Sequence, residues 1–305
     1  MKQKYLIIGI AASLIGSLHV TAMKYVFNGG IDPNIYNFLR FGITALVSLP
    51  FIFIQSRFIN KINLKYAVLM GLNLAAAVFC YSWAIRLSQA SYVAIITLIS
   101  PIVFVVISVL VDKGRVEAKS LAGLGLAVAG TLLIFILPIA VKQNLEFSFY
   151  GTATVLLLLQ SVFNAGIVIN GKKANLAGMR MVTLIGISSL VCLLIFGILS
   201  SKSLGNGVGQ FKEINLLCGA SFSGLVIGFA LRPVDIRVYE KLGPAVIAIL
   251  SYLSTLASIV VPIILLGEKI SKEMIIGASL IMLGVYVIEH HKGEHHKHFH
   301  IFRHG

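Results

Sequence analysis

The chain reads as long apolar runs divided by short polar ones. Ten of the runs are long enough to cross a hydrocarbon core, which takes about 20 residues of helix. They cover 5–27, 34–55, 66–85, 87–111, 120–141, 147–170, 181–201, 214–231, 242–266 and 274–290. Lipid offers no partners to backbone N–H and C=O groups, so only helices and closed barrels span it. These runs are too long and too evenly apolar for barrel strands of about 10 alternating residues. The pattern therefore predicts an all-α integral membrane protein of ten transmembrane helices joined by short connections. The first run exceeds the roughly 7–15 apolar residues of a signal peptide and lacks a small-x-small exit, so it is read as a permanent span.

Composition removes the soluble alternative. Hydrophobic residues make up 58% of the chain and charged ones only 12%, against roughly 25% charged in an average soluble domain. The net charge of +14 would point to nucleic acid in a soluble protein, but its distribution says otherwise. With the N-terminus in the cytoplasm, seventeen of the 25 Lys and Arg residues fall on the inner side, in groups such as Arg57, Lys61 and Lys65. Six fall outside: Arg86, Lys142, Lys202, Lys212, Lys269 and Lys272. Basic residues favour the cytoplasmic side, so both termini are expected in the cytoplasm of an inner or plasma membrane. The partners expected are the lipid bilayer and a small-molecule substrate, with no nucleic acid; a homo-oligomer is left open. The remaining two basic residues, Lys24 and Arg40, lie inside spans.

The two halves resemble each other. Ala84-Ile85-Arg86 leading into Ser91-Tyr92-Val93-Ala94 is similar to Asp235-Ile236-Arg237 leading into Gly243-Pro244-Ala245-Val246. Gly123, Leu126 and Gly130 match Gly277, Leu280 and Gly284 at a constant offset of 154. Glycines seven apart lie on nearly one helix face and admit a close neighbour. Five spans per unit is an odd number, which inserts the second unit upside down. The expected organisation is therefore two inverted five-helix repeats, 1–141 and 147–290, followed by a basic tail at 291–305. Inverted repeats are a plan of secondary transporters, with the substrate near the midplane.

The residues also resemble a family. Leu265-Leu266-Gly267-Glu268-Lys269-Ile270, followed by Gly277-Ala278-Ser279-Leu280-Ile281-Met282-Leu283-Gly284, is similar to the loop and last helix of EamA-type members of the drug/metabolite transporter superfamily. Pro101, Gly16, Lys24 and Arg40 also stand at family-like positions. The chain departs from the family at Ile15, at Asp112-Lys113-Gly114-Arg115 and at Leu253. The resemblance implies a basket of helices around a central cavity, with the fifth and tenth helices peripheral. It also implies transport, leaning toward export of amino acids or related metabolites. Uptake of a nucleotide-like or cofactor solute, of the S-adenosylmethionine type, is the alternative.

Polar residues inside apolar runs are the candidate substrate contacts. Arg40 lies about 10 Å into the second span, counting 1.5 Å per residue from Pro33. A buried guanidinium can grip a carboxylate or phosphate with two hydrogen bonds. It can equally snorkel or pair with Asp32, and Tyr36 and Asn37, one turn before it, are placed to solvate it. His19, in the first span, is the candidate for proton coupling, or else a neutral helix-to-helix contact. Lys24 is expected to snorkel outward. Trp83 and Tyr81, near the outer end of the third span, are read as ligand contacts or as an interfacial aromatic belt; Asn73, Tyr92, Ser100, Gln160, Asn164, Tyr252 and Thr255 complete the polar set, either as ligand contacts or as helix glue. The eighth span, with Gly219, Gly224 and Gly228, either lines a cavity or packs tightly.

No span carries a mid-membrane carboxylate, which favours a solute with a negative group over a lipophilic cation. Clustered acids, an HExxH motif or a Ser/Lys dyad are missing from the spans, so an enzyme is not expected. Neither a cofactor nor a metal site is expected, and the three cysteines suggest no disulfide. A lipid flippase stays as a minor alternative that would need a lateral opening. The His-rich tail from His290 is read as a solvated terminus.

Overall fold

The computed structural model describes residues 2–100, 147–207, 213–231, 244–272 and 274–283, with isolated positions between 103 and 133 and at 234 and 238. Every described element is helical. In chain order they are α1 (Lys2–Asn28), α2 (Pro33–Ile54), α3 (Lys61–Leu87), α4 (Ala90–Ile96, extended by a 3-10 turn at Thr97–Ile99), α5 (Phe147–Leu176), α6 (Met181–Gly207), α7 (Ile214–Ser221), α8 (Pro244–Leu266) and α9 (Met274–Leu283). A π-helix, Phe222–Ala230, continues α7. Five of these helices are long and apolar enough to cross a membrane by themselves, and four further apolar helices are shorter. Most of the fifth predicted span, Pro101, Tyr252's side chain and the His-rich tail lie outside the described residues. The helices overrun their apolar cores: α3 begins at Lys61 and α5 continues to Leu176.

Local chemistry explains the helix starts. Asp32 accepts from the Asn34 N–H at 2.7 Å, with Pro33 in the first turn, a carboxylate cap beside a residue that has no N–H to satisfy. Asn60 and Asn63 cap the start of α3 reciprocally, the amide version of a capping box. The turns after α1 and α5 contain Gly30 and Gly178, at φ +86° and +92°, a region that glycine enters at no steric cost.

The long helices alternate in direction. Ala177 O accepts from the side chains of Asn60 and Asn63 at 3.5 and 3.3 Å, so the end of α5 shares a face with the start of α3. That face, which also carries the start of α1, is the N face. The 29–32 and 88–89 turns lie opposite, and the 267–271 segment joins them there, because Glu268 reaches the start of α4. The π-helix runs toward the N face: Gly219 meets Val26 near the end of α1, while Gly228 meets Thr44 deeper along α2.

Small residues set the spacing of the bundle. Apolar side chains gain little by leaving lipid, so membrane helices associate through close packing and hydrogen bonds. A β-carbon placed on Gly224 would stand 2.7 Å from the Arg40 carbonyl oxygen, and one on Gly166 would stand 2.4 Å from Asn73 Oδ1. A β-carbon on Gly130 would stand 2.7 Å from the Gly277 carbonyl. The glycine pattern that relates the two halves thus marks a contact between the fifth predicted span and α9. The most extensive hydrophobic cluster of the described residues lies toward the face opposite the N face, around Met23, Phe27, Ile31, Ile35, Tyr36 and Leu216.

These distances give a test. Replacing Gly224 by Ala forces a β-carbon onto backbone, and overpacking of this kind costs about 1–3 kcal/mol. Gly16 has nothing within 4 Å of an added β-carbon, and Ala is the better helix former by about 1 kcal/mol. Thermal unfolding of the purified protein should show Gly224→Ala destabilised and Gly16→Ala unchanged or stabilised.

Candidate functional site

A largely apolar cavity carrying a few polar groups reaches into the bundle from the N face. Its volume is about 540 Å³, and its wall includes Arg40, Phe41 and Thr44 of α2, Met70 and Leu74 of α3, and Ser100 at the end of α4. Asn164 of α5, Ser188 and Ser189 of α6, and Gly228 of the π-helix complete its polar and small-residue lining. Met181, the first residue of α6, lines the cavity at the N face and is 42% exposed.

Arg40 stands at the deep end, about 10 Å along α2 from Pro33. It is 8% exposed, and its guanidinium carbon lies 5.2 Å from the centre of the Phe41 ring. Its position follows from how α2 is held. The Tyr36 hydroxyl donates to the Gly219 carbonyl at 3.0 Å and also bonds the Ser223 hydroxyl. One turn past Arg40, the Thr44 hydroxyl lies 3.0 Å from both the Arg40 and Gly224 carbonyls. Arg40 therefore sits between two ties that bind α2 to α7 and the π-helix.

Tyr36 and Asn37, one turn before Arg40, also make bonds to other helices. Tyr36 is engaged with α7 and the π-helix, and Asn37 donates to the Ser82 hydroxyl at 2.7 Å. Side chains three or four apart share a helix face, and here that face is divided between two neighbours. The Lys24 ammonium donates to the Ile85 carbonyl at 3.1 Å, one of the last four carbonyls of α3, which have no partner within their own helix.

Of the ten residues predicted for the site, Arg40 and Asn164 meet at the cavity wall. Seven of the others do not line this cavity. His19 stacks on Tyr81, with ring centroids 6.4 Å apart and planes 21° apart. Asn73 donates back to the Leu69 carbonyl at 2.8 Å and abuts Gly166. Tyr92 bonds Thr154 across α4 and α5. Trp83 lies against Phe79, with the Arg86 guanidinium 5.5 Å from its ring centre. Gln160 is buried in α5 and is not part of the lining. The side chain of Tyr252 lies outside the described residues.

Thr44, Ser188 and Ser189 escaped the sequence reading. The adjacent pair Ser188-Ser189 in an otherwise apolar run was a signal equal to that of Gln160 and Asn164. Phe41, Met70 and Met181 carried no signal, because an apolar wall residue looks like a lipid-facing one. Ser100, noted as polar, lines the cavity and bonds Ser161 at 2.7 Å. The eighth predicted span does both things expected of it: Gly224 packs against backbone while Ile227 and Gly228 line the cavity.

The arrangement offers a cation, hydroxyls and an amide on an otherwise apolar wall, which suits binding and orientation of a solute. Among known proteins, no curated sequence matches the chain. A crystal structure described only as that of a protein is similar in fold, with a TM-score of 0.57 and 17% identity over 96% of this chain and 99% of the other. The sequence pattern of the EamA-like transporter family matches residues 3–136 and again 152–289. Two matches that together span nearly the whole chain establish that this multi-pass membrane protein belongs to the EamA-like transporter family.

Proposed function

We propose that the protein is a gradient-driven secondary carrier that exports small carboxylate-bearing metabolites, amino acids among them, by alternating access. The observation that carries this reading is Arg40 at the deep end of a cavity of about 540 Å³. That volume lies within the roughly 300–1,000 Å³ of typical small-ligand pockets. A guanidinium offers a planar, two-bond grip on a carboxylate, and its bonds to an anion are stronger than neutral ones. The hydroxyls of Ser188 and Ser189 and the Asn164 amide supply further polar contacts, and Met70, Leu74 and Ile185 an apolar flank.

The basic residues argue that the N face is cytoplasmic. A cavity reaching that face stands where an exporter loads its cargo. Packing of α2 on α6, and of α4 on α8, pairs the second predicted span with the seventh and the fourth with the ninth. Such pairing supports an inverted repeat about an axis in the membrane plane.

Proton coupling is assigned to His19. Its ring lies on Tyr81, with centroids 6.4 Å apart, and histidine is the side chain suited to carrying a proton near neutral pH.

Two measurements test the reading. In a panel of amino acids and organic acids, ligands that raise the unfolding temperature of the purified protein should lose that effect in Arg40→Ala. Losing a charge-assisted pair is worth about 1.5–3 kcal/mol, or roughly 10–100-fold in affinity. A ligand that stabilises Arg40→Ala as much as the parent would remove Arg40 as the anion contact. In proteoliposomes, flux should depend on pH, and His19→Ala should flatten the dependence; an unaltered profile would remove His19 from coupling.

A further inference from the structure

α4 lacks a cap of its own. Gln89 precedes its first turn and makes no side-chain capping bond. The cap comes instead from Glu268, in the segment between α8 and α9. One carboxylate oxygen accepts from the Ala90 N–H at 2.7 Å, and the other from the Ser91 N–H at 2.9 Å and the Ser91 hydroxyl at 2.6 Å. Three bonds thus join residues about 177 positions apart in the chain. All three are made to an ionised group at a helix start, where charge assistance and the helix dipole act in the same direction. Gly267, at φ +67°, turns the chain so that the next side chain faces α4.

The surroundings make this contact part of a closure. Lys24 donates to the Ile85 carbonyl at 3.1 Å and lies within electrostatic range of Glu268. Arg86 donates to the Ile31 carbonyl at 3.3 Å. Directly beneath lie Met23, Ile31, Ile35 and Ile85, each no more than 1% exposed. The closed half of the bundle and the Glu268 contact are therefore on the same face, and the cavity is on the other.

We infer that Glu268 is the latch that holds the face opposite the N face shut, and that it biases the carrier toward the state whose cavity is at the N face. To open the opposite face, the 267–271 segment must leave the start of α4 and expose two helix N–H groups. This inference rests on the alternating-access reading for its role in transport, while the latch itself is measurable without any substrate.

The test uses the full chain in proteoliposomes, with Cys80, Cys192 and Cys218 changed to Ser and a single reporter, Ile35→Cys, in the closed half. A membrane-impermeant thiol reagent is applied from the face opposite the N face. The reporter should react slowly in the parent and on the order of tenfold or more faster in Glu268→Ala, as expected for loss of charged hydrogen bonds that favour one state. Ser91→Ala, which removes one of the three bonds, should give a smaller increase and keeps the test valid if Glu268→Ala does not fold. Lys269→Ala, an exposed neighbour, should leave the rate at the parental value. Parental rates in folded Glu268→Ala and Ser91→Ala would overturn the latch, as would an equal increase in Lys269→Ala. Faster labelling without flux of any solute would uphold the latch and reject the carrier reading. Flux with parental labelling would do the reverse.

Discussion

Everything built around the cavity depends on how closely α2 can approach its neighbours. In lipid, a leucine gains little by turning inward, so helix association has to come from shape and polar contacts. At α2 these are specific. Gly224 brings the π-helix to within van der Waals contact of the Arg40 backbone, Tyr36 reaches the Gly219 carbonyl, and Thr44 lies against the Gly224 carbonyl. A π-helix widens the backbone and shifts its carbonyls out of the usual ladder, which suits a segment whose carbonyls accept side-chain hydroxyls. Because α2 is fixed at Tyr36 and Thr44, Arg40 between them has a fixed height in the bundle. The cost of burying its charge is met at a position the fold defines.

The two ends of the molecule are held by different chemistry. Toward the N face, α3, α5 and α6 meet in a small cluster around Ala67, Ala174, Met179 and Leu184, and the cavity reaches the surface beside Met181. Toward the other face, an extended apolar cluster is overlaid by polar bonds between turns and helix ends. Helix ends have unpaired N–H and C=O groups, and this face uses them as its fastenings: Glu268 on the start of α4, Lys24 on the end of α3. Bonds of this kind break and form without disturbing helix interiors, a property suited to a face that opens in a cycle.

Much of the architecture was legible as pattern. Apolar runs of sufficient length marked the described long helices, though the start of α3 at Lys61, capped by Asn60, lay outside the run at 66–85. The glycine heptad at Gly130 and Gly277 pointed to a close contact that the fold contains. The candidate site was legible only in part. Arg40 and Asn164 stood out as polar residues in apolar surroundings, and they do line the cavity. Asn37 and Asn73 stood out equally and are engaged in helix contacts instead. A buried amide needs a partner either way, so its presence in a span does not say whether the partner is a helix or a solute.

The sequence by itself determined the solvent of this protein, its helices and its basic asymmetry, because each is a property of local runs: length against bilayer thickness, hydropathy against the cost of an unpaired backbone, charge against the side of the membrane. Only the tertiary structure decided which polar side chains face one another. Glu268 finds three bonds about 177 residues away, while Tyr36 reaches a carbonyl on α7, 183 positions distant. Such choices are made by distances between helices. Those distances are set by where two glycine-bearing faces meet, which no single stretch of sequence contains.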